Sequence, residues 1–188
     1  MFKRGLMALA GLGASSCALF ESGEELPNPG PCPAASILSD AGRVVNFEGE
    51  DTLFRFVGFT GEIEDVQSRC RYFADKPINA DLAITFSFGR GPAALDENTH
   101  QYNYFVTVTR RNVAIIKKEV YPLNVVFPKD EQIVQVTEVF DEIIIPRIND
   151  RTSGNNFEIL VGFELTDEQL EFNRSGRRFR IDAATVDP

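Results

Sequence analysis

The sequence contains no tryptophan and a single histidine, His100, among its 188 residues. Zinc sites built from several histidines are therefore excluded, and a serine or cysteine nucleophile would depend on His100 alone as its base. Glycoside hydrolases normally have tryptophan or tyrosine platforms for sugars beside their paired carboxylates, so the absence of tryptophan argues against this class of enzyme. We expect His100, at the start of a strand, to be a surface or loop residue without a catalytic or metal-binding role.

Nucleotide, metal and nucleophile motifs are missing as well. The sequence has no GxSxG, no CxxC and no Gly-rich phosphate loop, and its acidic clusters lack EF-hand spacing. These clusters are 48–51, 62–65, 138–142 and 149–150. The formal net charge of −9 repels phosphate backbones and argues against nucleic acid as a partner. We therefore expect no cofactor, no bound metal and no enzymatic activity.

The beginning of the chain has the pattern of an export signal. Lys3 and Arg4 precede an uncharged apolar run over 6–12, and small residues follow up to Cys17. A basic start, a short apolar run and small residues define a secretory signal peptide, here residues 1–16. The run is far shorter than the roughly 20 residues that span a bilayer.

The segment in front of Cys17 resembles the lipobox of bacterial lipoproteins, except that Ala14 stands where that motif usually has leucine. In that family the cysteine sulfur receives a diacylglycerol, the signal is cut off, and the new amino group is acylated. The resemblance implies that acylated Cys17 anchors the chain in a lipid bilayer. Ala18, in place of aspartate, resembles lipoproteins sent on to the outer membrane, facing the periplasm. The alternative is ordinary secretion with an incidental thiol.

Lipidation of Cys17 would leave Cys32 and Cys70 as the remaining cysteines. Two thiols in one exported domain usually pair, so we expect a disulfide between them. The alternative, a catalytic thiol, has only His100 as its base.

Removal of residues 1–16 loses two basic residues and changes the net charge to −11. Residues 17–31 then form a lipid-anchored flexible tether, because they are rich in glutamate, proline and glycine and offer little to bury. Residues 32–188 form a single β domain.

Period-two alternation dominates this domain and predicts an all-β fold. The clearest strands are 79–88, 102–108 and 157–165, and 102–108 forms a hairpin with 113–120. Eight or nine short strands predict an antiparallel, immunoglobulin-like β-sandwich with one short helix starting at Thr166-Asp-Glu-Gln169. A small β-barrel is the alternative.

Several details are less regular. We expect a helical turn over 33–40, a strand-like stretch over 53–59, an apolar run over 123–127 separate from the hairpin, and an edge strand over 177–183. The sequence has two arginine clusters, of which the second could bind an acidic partner or a lipid phosphate, or could balance nearby acids. The clusters are Arg69, Arg71, Arg110 and Arg111, and Arg174, Arg177, Arg178 and Arg180.

The body of the chain is similar to the small envelope lipoproteins of alphaproteobacteria. The similarity rests on Cys32-Pro33, Ser68-Arg-Cys-Arg-Tyr72, Tyr104-Phe-Val106 and Lys118-Glu-Val120. It implies the envelope compartment and the disulfide, and it brings no known activity.

These features predict a membrane-anchored lipoprotein domain that binds a protein or another envelope component, for example through an exposed sheet edge. A carrier of a small apolar ligand is the alternative, because sixteen phenylalanines would also suit an apolar cavity. An enzyme ranks third.

We predict that Cys17→Ser removes the anchor. The variant should move from the membrane fraction to the soluble fraction, because the acyl chains supply the membrane affinity. Cell fractionation with labelled palmitate measures both the location and the acylation. Retention of Cys17→Ser in the membrane fraction would contradict the lipoprotein interpretation.

Overall fold

The alternating stretches of the sequence form strands in the computed structural model, which describes residues 30–49, 51–73 and 76–181. Cys17, the signal segment and the tether up to residue 29 lie outside these residues. Within them the chain forms eight strands and one α-helix. They are β1 (Ala34–Ile37), β2 (Arg43–Phe47), β3 (Val57–Arg71), β4 (Ile78–Arg90), β5 (Thr99–Arg110), β6 (Ala114–Val126), β7 (Ile133–Ile145), β8 (Phe157–Phe163) and α1 (Asp167–Arg174).

The strands assemble into two four-stranded sheets. The front sheet has the order β1-β8-β5-β6 and the back sheet the order β2-β3-β4-β7. Neighbouring strands are antiparallel, apart from β1 and β8, which run parallel. Within the described residues the sheets do not close into one barrel. The prediction of an all-β sandwich is therefore confirmed, and the barrel alternative is wrong.

Two strands are longer than the sequence predicts. β3 is continuous from Val57 to Arg71. The register with β4 shifts between Ile63 and Asp65, and this bulge lets the strand pair with β4 on both sides of it. β6 continues through Pro122 to Val126, which an edge strand tolerates because one of its sides needs no hydrogen bond. The stretch predicted as a strand around Phe54 is instead a 3₁₀ turn, Phe54–Phe56.

Two predictions at the ends of the domain are wrong. Half of the helical turn expected over 33–40 is strand β1, which pairs with β8, and a 3₁₀ turn begins only at Ser39. Residues 177–181 form no strand, because Phe179 and Ile181 instead pack with Phe172 of α1 beside β2. Residues 182–183 of that predicted strand lie outside the described residues.

The helix prediction is confirmed. Thr166 caps α1 through a hydrogen bond from the Gln169 amide, and the Gln169 side chain accepts one from the Thr166 amide in return. This capping box satisfies two amides at the helix start. The Gln169 side chain also donates to the Asn46 Oδ1 of β2 at 2.8 Å, which holds the helix start against β2.

The core lies between the sheets and is built from aromatic rings. Phe88 of β4 meets Tyr102 of β5 at 4.3 Å between ring centroids, and Phe86 meets Tyr104 at 5.0 Å. Both phenylalanines and Tyr104 are fully buried. Each such pair contributes about 0.5–1.5 kcal/mol beyond its buried area. The space between the sheets is thus filled by side chains of β4, β5 and β8.

One flank of the sandwich, where β1 and β2 lie, is closed by covalent and polar links. The predicted disulfide is confirmed: it joins Cys32 to Cys70 of β3, with 5.5 Å between their Cα atoms. The Tyr72 hydroxyl donates to the Pro31 carbonyl and accepts from the Gly154 amide, each at 2.8 Å. We name Pro31, Cys32, Cys70, Tyr72 and Gly154 the entry clamp. A Cβ at Gly154 would lie 2.4 Å from the Pro31 oxygen, so this close approach requires glycine.

We predict that Cys32→Ser combined with Cys70→Ser lowers the free energy of unfolding by about 4 kcal/mol, because the open loop gains entropy in the unfolded chain. Urea unfolding of residues 17–188 carrying Cys17→Ser, followed by tyrosine fluorescence, measures this loss. Ser68→Ala is the matched control, since it keeps the disulfide and removes only the hydrogen bond to the Pro33 carbonyl. A loss no larger than in Ser68→Ala, about 1 kcal/mol, would contradict the role of the disulfide.

Candidate functional site

The second flank of the sandwich, where β6 and β7 lie, is open. β6 pairs with β5 alone and β7 pairs with β4 alone among the described strands. Each therefore has one edge whose backbone groups face away from its sheet. We call this the open flank.

A cleft enters the sandwich between β6 and β7, with a volume of about 140 Å³. Its floor is apolar and aromatic, and charged side chains of β6 and β7 stand at its rim. The ring centroids of Tyr121 and Phe140, from opposite sheets, lie 5.0 Å apart. The lining residues are Val106, Val108, Lys117, Glu119, Tyr121, Phe140, Glu142, Ile143 and Ile144.

Polar contacts fix the side chains of this cleft. The Tyr121 hydroxyl donates to Glu119 at 2.5 Å, and Lys117 pairs with the same carboxylate at 2.8 Å. Burial and the Glu119 carboxylate raise the pKa of Tyr121 to about 12. Deeper in the sandwich, burial and the nearby Glu138 carboxylate raise the pKa of Tyr104. Both phenols stay protonated at neutral pH, so they can donate hydrogen bonds but are poor bases and nucleophiles.

The edge of β7 is regular over eight residues. Ile133 to Phe140 pair with consecutive residues of β4, from Gly89 to Leu82, before the register shifts. This run, Ile133-Val-Gln-Val-Thr-Glu-Val-Phe140, contains no proline, lysine or arginine. Lysine, proline and bulges are the features that usually prevent an edge from pairing with another chain. The edge of β7 has none of them along this run.

The edge of β6, by contrast, has all three. Ile116 has no partner in the register between Val108–Lys117 and Thr109–Ile115, which makes it a bulge. Lys117 and Lys118 follow, and Pro122 supplies no backbone N–H. The two edges of the open flank therefore differ in their capacity to accept a strand.

His100 differs from the expected surface residue. It is half-buried in β5 and stacks on Phe59 at 4.2 Å between ring centroids. Its Nε2 accepts a hydrogen bond from the side-chain Nδ2 of Asn46 at 3.0 Å. The Oδ1 of Asn46 in turn accepts one from the side-chain Nε2 of Gln169, which belongs to the capping box. The backbone N–H of Thr166 donates to the Oε1 of Gln169, so each group in the series donates to the next and His100 is the last acceptor. An Nε2 that accepts carries no proton, which favours a neutral His100. His100 thereby links the two sheets to α1.

The acidic clusters are divided among separate partners. Glu62 binds Arg178, Glu64 accepts from Gln135, and Asp65 accepts from Gln67. Within the described ranges, no group of three or more histidine, cysteine or acidic side chains is arranged to hold a metal ion.

The arginine clusters mostly contact neighbouring groups of the same chain. Arg71 pairs with Asp81 at 2.8 Å, Arg174 with Asp40 at 3.1 Å, and Arg178 with both oxygens of Glu62. Arg177 donates to the Thr52 hydroxyl at 2.7 Å. These contacts favour the interpretation that the cluster 174–180 holds the end of the chain against the back sheet.

Arg90 is a buried residue that sequence reasoning missed, because Gly89-Arg-Gly91 reads as a loop. It is the last residue of β4, and its guanidinium donates to the carbonyls of Glu97 and Glu131 and to the Asn98 side chain. It borders an open groove of about 610 Å³ at the end of the sandwich. Since three of its hydrogen bonds go to loop oxygens, Arg90 positions the loops there.

No family model, no curated protein and no solved structure matches this chain. Among the residues that the structure describes, no helix has the length and apolar character needed to cross a membrane.

We predict that His100 makes the stability depend on pH. Burial lowers the pKa of His100 below its ordinary 6.5, although Glu97 opposes this shift. The unfolded chain therefore binds a proton that the folded chain resists, so the free energy of unfolding falls as the pH drops below 6.5. Urea unfolding between about pH 8 and pH 5, where histidine titrates, measures this slope.

The matched variant is His100→Gln, which can still accept from Asn46 and does not titrate. It should flatten the slope while keeping most of the stability at neutral pH. His100 is the sole histidine, so no other imidazole contributes. An unchanged slope in His100→Gln would contradict the assignment.

Proposed function

We propose that this chain is a non-enzymatic lipoprotein domain of the cell envelope, anchored to the outer membrane through acylated Cys17 and facing the periplasm. Its open flank binds an extended segment of a partner protein, which adds as a fifth strand to the back sheet along β7. This is β-augmentation, in which main-chain hydrogen bonds supply affinity and side-chain pockets supply specificity.

The regular edge of β7 is the observation that carries the proposal. In the part of the chain that the structure describes, eight consecutive residues of β7 pair with β4 on one side only, with no proline, basic residue or bulge among them. An unprotected edge of this length is rare in a monomeric protein because it invites pairing with other chains. A partner strand would satisfy its outward backbone groups.

Side chains beside that edge support the same interpretation. Val134, Val136 and Phe140 face the core but are only half-buried, since none of the described strands lies beyond β7. An added strand would cover them and place alternate side chains over the cleft at Tyr121. Each main-chain hydrogen bond contributes about 1 kcal/mol net, so a few bonds with an apolar anchor give moderate affinity.

Charge indicates the chemistry of the partner segment. The C-terminal half of β7 carries Glu138, Asp141 and Glu142, and Glu142 lines the cleft. A β-branched or aromatic segment with a basic residue would complement these groups.

The packing between the sheets gives less support to a carrier. The inner faces meet as contacting aromatic rings, such as Phe86 with Tyr104 and Phe88 with Tyr102. An apolar ligand of ordinary size needs about 300 Å³ or more of enclosed space. Binding at the flank requires no rearrangement of this core.

We predict that Val139→Lys weakens partner binding about five-fold or more, a loss of about 1 kcal/mol, because a lysine at the edge opposes strand pairing. A photoreactive residue at Thr137 of the full chain, activated in intact cells, reports the amount of partner adduct.

Val126→Lys on β6 is the matched control, because Val126 and Val139 are both valines with 62% exposure on edge strands. It should leave the adduct unchanged. Equal loss in both variants, or an adduct formed only between two copies of this chain, would contradict the proposal.

A further inference from the structure

The entry clamp fixes which end of the sandwich lies next to the tether. β3 ends and β4 begins there, the β5–β6 hairpin turns there, and β7 connects to β8 there. We call this end, formed by residues 72–73, 76–77, 111–113 and 146–156, the tether pole. β4 has 13 residues, so the opposite end lies about 40 Å away at about 3.4 Å per residue. We call that end, formed by residues 48–49, 51–56, 91–98 and 127–132, the distal pole.

The two poles differ in charge. The tether-pole segments contain four basic residues, Lys76, Arg111, Arg147 and Arg151, and one acidic residue, Asp150. Arg111 also pairs with Glu158 of β8 at 3.4 Å. The distal-pole segments contain two basic residues, Arg55 and Lys129, and six acidic ones, Glu48, Asp51, Asp96, Glu97, Asp130 and Glu131. Arg177 also reaches this end through its hydrogen bond to Thr52. An acidic protein is thus electrically polarised along its long axis. Near an anionic surface this charge difference orients the tether pole toward the surface.

The tether pole also exposes apolar side chains. Ile148, Val113 and Ile115, at 75%, 69% and 65% exposure, are the most exposed large apolar residues that the structure describes. Val113 is at the tip of the β5–β6 hairpin and Ile148 follows β7. Apolar side chains at loop tips with basic residues around them are the composition that inserts into a lipid headgroup layer.

We propose that the tether pole is a membrane-contact surface that rests on anionic phospholipid headgroups. The inference rests on the lipid anchor of the proposed function, which brings this end of the domain to the bilayer. The 12 residues between Cys17 and Gly30 extend to roughly 45 Å, so the tether alone would allow the body to stand away from the membrane. Contact of the tether pole with the lipid holds the long axis of the sandwich perpendicular to the membrane. The regular edge of β7 then lies in the half of the domain that is farther from the lipid.

Depth-dependent fluorescence quenching tests this inference. Residues 17–188 are coupled through the Cys17 thiol to a maleimide lipid in vesicles of phosphatidylethanolamine and phosphatidylglycerol that carry a headgroup quencher. A fluorescent non-natural residue is placed at Asn155 of the tether pole or, in a second protein, at Leu95 of the distal pole. We expect quenching at Asn155 to exceed that at Leu95 at least three-fold. It should fall to the Leu95 level in 1 M salt, where the Debye length is about 3 Å.

The variants separate charge from apolar contact. Lys76→Glu with Arg151→Glu should abolish the excess quenching, whereas Arg55→Glu with Lys129→Glu changes the net charge equally and should leave it intact. Val113→Ser with Ile148→Ser should at least halve it. Equal quenching at both positions, or an excess that survives Lys76→Glu with Arg151→Glu, would overturn the inference. Chemical coupling makes this outcome independent of whether cells acylate Cys17, which fractionation of Cys17→Ser decides separately.

Discussion

The entry clamp is the interaction on which the rest of the molecule depends. One hydroxyl, that of Tyr72, holds the Pro31 carbonyl and the Gly154 amide at 2.8 Å each, while the neighbouring disulfide fastens Cys32 to β3. These contacts bring the entering chain, the end of β3 and the β7–β8 connection to one place. They close the flank of β1 and β2, and they determine which end of the sandwich stands beside the tether.

Closure of one flank leaves the exposed strand edges on the other. β6 and β7 have 13 residues each and end their sheets, whereas β1 and β2 have only four and five. β6 carries a bulge, two lysines and a proline, and β7 carries none of these between Ile133 and Phe140. This asymmetry is the physical reason for proposing a partner strand at β7. Because Ile133 is at the distal end and Ile145 at the tether pole, the regular part of that edge lies away from the membrane in the proposed orientation.

Local patterns predicted much of the fold. Alternation in β4, β5 and β8, the hairpin of 102–108 with 113–120 and the capping box at Thr166 each depend on residues close together in the chain, and the structure agrees with them. The disulfide followed from the number of cysteines. The register that pairs β1 with β8, the burial of Phe179 and Ile181, and the hydrogen bonds of Arg90 depend on residues far apart in the chain. No local pattern encodes them.

The sequence predicted that an exposed sheet edge exists, but not which strands form the open flank. Sequence reasoning anticipated an exposed edge without identifying the strand, because a run such as Ile133 to Phe140 reads equally well as a central strand. Its position at the edge follows from the sheet order. The absence of proline and lysine from that run is informative only when the run is known to be an edge strand, because a central strand needs no such protection.

Amide hydrogen exchange of the full chain, measured alone and in envelope membranes, tests the central claim most directly. Alternate amides of β7 between Ile133 and Phe140 point away from β4 and should exchange rapidly in the free protein. In the membranes they should become protected while the outward amides of β6 stay unchanged. Protection of β6 instead of β7, or no change along either edge, would contradict the proposed strand addition.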